Sequence, residues 1–418
     1  MKVVEFNIDE IPQFKQRLLL LTEKYSHATI LDSNDYHESQ HCDYDLIAGF
    51  GAKSLFLPRE FSDLETLSSK GNWCFGYFTY DLKNKLEDLE SANFDGVNFP
   101  EMCFFEPEIL VEVRKNCVKI SGKGVTDFIL RLNKIDVRFD VVAPVCINPR
   151  VSKEKYIKNV LDLLNHIQLG EIFEINFCQE FYAEEVEISP ISVYNELNKR
   201  SPVPYASFLK IDGRYCLGAS PERYVKKVGS KVTCQPIKGT VKRGASSKED
   251  KVLVDSLLSS KKEKAENVMI VDLVRNDLSR FAKNGTVKVD ELFGVYSFPQ
   301  VHQMISTISC EVGKSVSFVD VIKNTFPMGS MTGAPKVSAM KLIEAYELTK
   351  RGLYSGALGY IKPNGDFDFN VVIRSVLYNE MERYLSFIVG GAITSNSNPE
   401  DEYKETLLKA QAIFEVLK

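Results

Sequence analysis

The pattern of apolar positions becomes regular after residue 150. Apolar side chains recur every three or four residues from Tyr156 to Ile167, and the run stops at Gly170. This spacing predicts an amphipathic helix. In the next segment, 173–181, apolar side chains alternate with polar ones, which predicts a strand with one apolar face and one polar face.

Helical and strand-like patterns then alternate to the C-terminus. Segments 264–281, 335–350 and 399–417 have helical patterns, and Pro399 lies in the first turn of the last one. Strand-like runs separate them, including GALGYI, NVVIRSVLY and YLSFIVGGAI. Mixed elements with frequent hairpins favour an α+β fold in which large, mainly antiparallel sheets are covered by helices.

The two parts of the chain differ in the chemistry they carry. Before residue 150 the pattern offers strands between short helices and few clustered polar residues, whereas nearly all candidate chemistry follows Val151. We therefore predict an N-terminal region, 1–150, and a second region, 151–418, that can share one core.

Composition excludes several classes of protein. Of the 418 residues, 44% are hydrophobic, which is enough for a large core, and the formal net charge of −5 gives no reason to expect nucleic-acid binding. No apolar stretch approaches the roughly 20 residues of a membrane-spanning helix, and the N-terminus lacks the pattern of a signal peptide. Nine dispersed cysteines without a CxxC pair argue against a disulfide framework. We expect a cytoplasmic protein.

A hairpin around Gly229-Ser230 brings two chemically interesting side chains together. If these two residues form the turn, Glu222 lies opposite Ile237, one position from Lys238. Pro236 cannot donate to the strand ladder, so it marks a bulge or a strand end that re-aims Lys238. An amine beside a carboxyl group suits acid–base or covalent amine chemistry, but an ordinary cross-strand ion pair is the commoner explanation of this pattern.

Other polar residues form weaker patterns. Glu402, Glu405 and Lys409 share one face of the last helix, which suits either Mg²⁺ or a solvated surface. The glycine-rich turn at 327–336 leads into a helix and suits an anion. Arg374, among strand apolars, needs an anionic partner such as a ligand carboxylate.

Seven segments together resemble the chorismate-binding enzyme family, in the order that family has them. The resemblance extends from Val151 to the C-terminus and implies the fold of anthranilate synthase component I. The segments are SPERY (220–224), PIKGT (236–240), AENVMIVDLVRND (265–277), PMGSMTGAPK (327–336), SGALGYI (355–361), VIRS (372–375) and SNPEDEYKET (397–406).

The resemblance implies a Mg²⁺-dependent site for chorismate, a dicarboxylate. Its implied general acid is Glu222, which protonates the departing ring hydroxyl. The other implied roles fall into three groups: the metal ligands Glu266, Glu402 and Glu405; the substrate-binding residues Thr332, Gly333, Tyr360, Arg374, Gly390, Gly391 and Lys409; and His302, near the ring.

The residue at position 238 distinguishes among the reactions that the family catalyses. Family members that form anthranilate or isochorismate usually have alanine there, whereas lysine resembles the members that aminate chorismate at C4. The amine would attack C2 as the C4 hydroxyl leaves, and ammonia would then displace the lysine at C4. Glu174 departs from the pattern, since water-adding members have lysine there and aminating members usually have glutamine.

The resemblance also implies a partner. No cysteine lies in the glycine-rich setting of a glutaminase nucleophile, so we expect ammonia from a separate glutaminase subunit. The nearest alternative is an anthranilate synthase large subunit, and a different class is a non-catalytic regulator that binds chorismate or an amino acid. Residues 30–33 and 201–208 loosely resemble segments that bind tryptophan in some members.

Overall fold

The computed structural model describes residues 2–36, 43–69, 71–298 and 301–418. The strands are β1 (Lys2–Asn7), β2 (His27–Asp32), β3 (Leu46–Phe56), β4 (Cys74–Phe78), β5 (Met102–Arg114), β6 (Cys117–Gly122), β7 (Asn148–Pro149), β8 (Glu174–Ala183), β9 (Tyr205–Ile211), β10 (Arg214–Ser220), β11 (Arg223–Val228), β12 (Lys231–Gln235), β13 (Ile237–Lys242), β14 (Lys288–Ser297), β15 (Val301–Glu311), β16 (Gly333–Ala334), β17 (Ala357–Ile361), β18 (Phe367–Val371), β19 (Ser375–Asn379) and β20 (Tyr384–Thr394). The helices are α1 (Ile11–Leu21), α2 (Phe61–Ser69), α3 (Val125–Lys134), α4 (Lys153–Gln168), α5 (Pro190–Arg200), α6 (Ser247–Ser259), α7 (Lys261–Ser279), α8 (Phe318–Thr325), α9 (Lys336–Tyr346) and α10 (Pro399–Leu417).

The strands form one continuous hydrogen-bonded path. Every ladder between these strands is antiparallel, and the path runs β8–β20–β19–β10–β9–β2–β3–β5–β4–β17–β18–β11–β12–β15–β14. The shorter strands β7 and β16 flank β8, β13 pairs with β15, and β1 joins through β6 to β5. The predicted α+β class, with a large antiparallel sheet and covering helices, is confirmed.

Strands from the first 150 residues lie inside this path. β2 pairs with β9, and β4 pairs with β17. Both large apolar clusters contain side chains from either side of position 150: one includes Phe104 and Phe369, the other Phe50 and Phe387. The two regions proposed from the sequence therefore have a common core.

The helices around the site begin and end close to the expected positions. α4 begins after Ser152, whose hydroxyl accepts from the Lys155 backbone N–H, and α10 begins after Asn398, whose side chain caps its first turn. α9 is shorter than the predicted 335–350, because the backbone of Glu347 is extended and turns away after Tyr346.

Two strand predictions need correction in detail. The run NVVIRSVLY forms two strands, β18 and β19, because the chain breaks at 372–374 and Arg374 takes a φ of +50°. Arg374 is therefore outside the strand in which the sequence placed it. The alternation of apolar and polar residues along β8 is not an alternation of burial, since nine of its ten residues are buried and the polar face is therefore enclosed as well.

Among the described residues, no helix combines the length and apolarity that crossing a membrane requires. The eight cysteines in this part of the chain are all free.

Candidate active site

Lys238 and Glu174 join the two ends of the strand path. The Lys238 ammonium donates to the Glu174 carboxylate, with 2.6 Å between Nζ and Oε1. Lys238 is 8% exposed and Glu174 is 1% exposed, so the pair is screened from water. β8 and β13 lie near opposite ends of the path, so the sheet folds back on itself and places the contact between its layers.

The backbone of Glu174 is fixed from both sides. It pairs with Thr394 on β20 and with Ala334 on β16. Gly333, with a φ of +151°, approaches so closely that an added Cβ would lie 2.2 Å from the Glu174 carbonyl oxygen. Only glycine permits this approach, which explains one glycine of the 327–336 turn.

Glu222 is a buried carboxyl group beside Lys238. Near the turn the hairpin has the predicted register, from Val228↔Lys231 to Lys226↔Thr233. The register then shifts by one position, so that Arg223 faces Gln235. The Glu222 side chain accepts from the Ser330 hydroxyl, with 2.6 Å between Oε1 and Oγ. Burial raises the pKa of Glu222 to about 7, although Ser330 and Lys238 oppose the shift. It can therefore donate a proton near neutral pH.

Two carboxylates of α10 converge on Gly391. A Cβ at Gly391 would lie 3.4 Å from Glu402 Oε2 and 3.9 Å from Glu405 Oε1. Lys409 Nζ lies 2.9 Å from Glu405 Oε1 and donates to the Gly390 carbonyl at 3.0 Å. The Lys409 ammonium holds the pKa of Glu405 below its usual range. The predicted shared helix face thus points at the two glycines of β20.

Lys262 lies between Glu266, the third predicted metal ligand, and Glu402. Its Nζ lies 3.3 Å from Glu402 Oε1 and 3.9 Å from Glu266 Oε1. Burial raises the pKa of Glu266 to about 7, with Lys238 and Lys262 opposing the shift. Glu266 Oε1 is buried and has no hydrogen-bond partner in the described part of the chain.

The donor set suits a hard divalent cation. Carboxylate oxygens are the ligands that Mg²⁺ prefers, and the unsatisfied Glu266 Oε1 is the kind of atom that a cation would satisfy. Within residues 2–36, 43–69, 71–298 and 301–418, no group of three or more His, Cys, Asp or Glu side chains is already gathered for a metal ion. Lys262 supplies the positive charge between Glu266 and Glu402, and it would have to move aside for a cation to bind both.

Arg374 belongs to the same neighbourhood. Its positive charge lowers the pKa of Glu222. Arg374 in turn interacts electrostatically with the carboxyl group of Glu222 and the phenol of Tyr354. Its side chain is half-buried, and its own backbone carbonyl accepts from Ala219. An arginine held beside a protonated acid is well placed to bind a substrate carboxylate.

Two predicted residues, His302 and Thr332, have other partners. The His302 ring binds Asp250 at 2.9 Å and Ser297 at 2.8 Å, and it lies three positions along β15 from Ile305, the partner of Ile237. That separation is about 10 Å along a strand. The Thr332 hydroxyl donates to carbonyl groups of its own turn, so it positions the turn itself. Its role and that of His302 stay predictions.

Tyr360 lines a different cavity. This cavity lies between β2, β9 and β17. Residues 31–33 and 204–206 form its wall, because β2 and β9 pair there. The ring of Tyr360 packs against Tyr44 and Trp73. The two segments that loosely resemble a tryptophan site are thus neighbours in space, whereas Tyr360 is separate from the Lys238 cluster.

Sequence reasoning missed an ion pair beneath the site. The Arg351 guanidinium pairs with Glu347 at 2.6 Å and donates to the carbonyls of Met331 (2.6 Å) and Asn176 (2.7 Å). Glu347 also accepts from the Cys178 backbone N–H. The pair joins the 327–336 turn to β8. Its i, i+4 spacing is visible in the sequence, but its burial comes from contacts with distant segments, which no local pattern indicates.

Replacing Arg351 with methionine should lower the free energy of unfolding by about 3–5 kcal/mol, because Glu347 is left charged and buried without its partner. Urea-induced unfolding followed by circular dichroism measures the loss. Adding Glu347→Leu to the same chain should restore part of the stability, since the orphaned charge is then removed.

The matched control is Arg131→Met, which breaks an exposed i, i+4 pair with Asp127. We expect a loss below about 1 kcal/mol there. Equal losses at Arg351 and Arg131 would contradict the assignment of a structural role to the buried pair.

Comparison with known proteins identifies one family, whose members similar to this chain have two different names. The chorismate binding enzyme family matches residues 28–415. The chain is 33% identical over 426 residues to the chloroplastic aminodeoxychorismate synthase of Arabidopsis thaliana, covering 94% of this chain and 45% of the relative. It is 32% identical over 347 residues to aminodeoxychorismate synthase component 1 of Salmonella typhimurium, covering 82% of this chain and 76% of that one.

A solved structure with a similar fold carries a different name. Anthranilate synthase component I from Streptococcus pneumoniae TIGR4 superposes with a TM-score of 0.76 at 25% identity, covering 99% of this chain and 92% of that one. The chain therefore spans nearly all of one relative but less than half the length of the Arabidopsis protein.

Proposed function

Since the chain belongs to the chorismate-binding enzyme family, we propose that it aminates chorismate at C4 to give 4-amino-4-deoxychorismate through a covalent adduct with Lys238. The observation that carries the proposal is a buried amine in contact with one carboxylate, Glu174, and beside a second, Glu222, whose pKa is about 7. A nucleophile and an acid together are what replacement of a ring hydroxyl by an amine requires.

The charged residues around Lys238 suit a substrate with two carboxylates. Arg374 would bind the enolpyruvyl carboxylate, and the backbone at Thr332, Gly333 and Gly390–Gly391 with Lys409 would face the ring carboxylate. Glu266, Glu402 and Glu405 would hold Mg²⁺, which supplies positive charge to a bound carboxylate and so offsets the negative charge of the site.

The reaction consists of two displacements whose atoms balance. In the first, the neutral Lys238 amine forms a bond to C2, the ring double bonds shift, and the C4–O bond breaks. Glu222 gives its proton to the departing hydroxyl, which leaves as water. In the second, ammonia forms a bond to C4, the double bonds shift back, the C2–N bond breaks, and Glu222 takes a proton from the new C4 ammonium group.

Ammonia must come from elsewhere. We propose a separate glutaminase subunit as its source, and the "component 1" in the name of the Salmonella relative is consistent with a second component. Isolated chain would then use ammonium salts but not glutamine.

Anthranilate synthesis is the second candidate, favoured by the fold shared with anthranilate synthase component I. That reaction places nitrogen at C2 and eliminates pyruvate, and it needs no amine from the protein. Lys238 therefore favours C4 amination. A non-catalytic regulator would bind chorismate without needing an acid such as Glu222.

Incubating the purified chain with chorismate, Mg²⁺ and ammonium should yield 4-amino-4-deoxychorismate, identified by liquid chromatography and mass spectrometry. Replacing ammonium by glutamine, or adding excess chelator, should remove the product. Anthranilate, isochorismate or unchanged chorismate in the complete mixture would refute the proposed reaction.

A further inference from the structure

We propose that Glu174 is the catalytic base that takes the proton from Lys238 and so makes its amine nucleophilic. This inference rests on the proposed function, because it assigns a further residue to the first displacement. Among the described residues, Glu174 is the hydrogen-bond acceptor of Lys238, with 2.6 Å between Nζ and Oε1. A general base needs direct contact of this kind with the proton that it removes.

The surroundings of Lys238 are strongly acidic. The charged groups that act on it come from four elements: Glu174 on β8, Glu222 before β11, Glu263 and Glu266 on α7, and Glu405 on α10. Burial lowers the pKa of Lys238, but the carboxylates of Glu174, Glu266 and Glu222 outweigh that effect and raise it. The resting amine is therefore protonated, and the reaction requires a group that removes this proton.

Burial makes transfer within the pair feasible. In water a lysine and a glutamate differ by about six pKa units, so the ion pair dominates. Inside the site the two groups are in direct contact and screened from water, so the proton can pass between them without solvent and without movement of either side chain. The proton moves from Nζ to Oε1 without any change in the net charge of the pocket.

The second oxygen of Glu174 supports the assignment. Oε2 is buried and has no hydrogen-bond partner among the residues that the structure describes, so within them Lys238 is the donor that stabilises the charged carboxylate. The backbone is held by Thr394 and Ala334, so the carboxylate stays at Lys238 as the amine loses its proton.

Protons balance over the cycle. Glu174 takes one proton from the Lys238 ammonium before attack, and the adduct nitrogen keeps the two remaining protons. When ammonia displaces the lysine, the amine leaves neutral and recovers its proton from Glu174. Glu222 loses a proton to the hydroxyl and regains one from the product, so the net change is chorismate and ammonia to aminodeoxychorismate and water.

Glu174→Gln tests the assignment, since it keeps the size and one acceptor oxygen but cannot take the proton. We expect kcat/KM for amination to fall about 10²–10⁴-fold near pH 7. The ratio of wild-type to variant kcat/KM should then decrease about tenfold for each pH unit between pH 6 and 8, because the variant depends on the small fraction of Lys238 that is already neutral. Any contribution of Glu222 cancels in this ratio.

Phe177→Leu is the matched control. Phe177 lies on the same strand but packs against Tyr156, with 5.2 Å between ring centroids, and carries no titratable group. Its ratio to the wild type should be constant over the same pH range. Glu174→Asp, which keeps a base at a shorter reach, should reduce the rate without creating the pH-dependent ratio.

The outcomes separate the two claims. If the wild type forms no 4-amino-4-deoxychorismate, the proposed function fails. If the wild type aminates chorismate and the Glu174→Gln ratio is constant with pH, or is near one, Glu174 is not the base while the proposed function stands. Thermal unfolding of each variant confirms that the compared proteins are folded.

Discussion

Lys238→Ala should lower C4 amination at least ~10⁴-fold, because the variant lacks the group that forms the covalent adduct. The buried Glu174 is then left without its Lys238 partner, and ammonia has no adduct to displace. Product formation is followed by mass spectrometry. With chorismate alone, intact-mass analysis of the wild type should show an adduct of chorismate less water, and the variant should show none.

Lys231→Ala is the control for this change. Lys231 begins β12, the strand just before β13, is exposed, and pairs with Asp290. Its removal should leave amination close to the wild-type rate. If Lys238→Ala aminated chorismate as fast as Lys231→Ala, the covalent mechanism would be refuted, although a chorismate-aminating activity would remain.

Glu222→Gln should reduce amination by about 10²–10⁴-fold, because the departing hydroxyl is no longer protonated. The pH dependence gives a second signature. Since burial raises the pKa of Glu222 to about 7, the acid is present below that pH and the wild-type rate should fall as pH rises through it. The variant should lack this descending limb in its kcat/KM profile.

Ser330→Ala should move the descending limb of the pH profile instead of removing it. The Ser330 hydroxyl donates to Glu222 and lowers its pKa, so its removal should raise the pKa and move the descending limb to higher pH. A limb that stays in place in both variants would show that another group controls it.

Local pattern predicted the elements that carry the site. The alternation along 173–181 and the helical spacing of 399–417 correspond to β8 and α10, and the shared face of Glu402, Glu405 and Lys409 follows from helix geometry. These features depend on residues close in sequence, which is why one sequence suffices to find them.

Contacts between distant segments were not predictable in the same way. The hairpin pattern suggested Glu222 as the ion-pair partner of Lys238, but the structure gives that place to Glu174, which is 64 residues away. Lys262 reaches Glu402 across 140 residues. Tyr360 lies in its own cavity because β17 pairs with β4, a partner that no local pattern identifies.

The pairing of β4 with β17 also means that β4 is synthesised long before one of its partner strands. Phe78 is made 279 residues before its partner Ala357. At 5–20 residues per second, β4 waits about 14–56 s on the ribosome for the strand that covers its edge. During that interval β5 already pairs with one edge of β4, but Phe78 lacks its contacts with Phe318, Phe326 and Phe369. Chaperone binding to the emerging N-terminal third is therefore expected to influence the yield of folded protein more than binding to the last-made helix, α10.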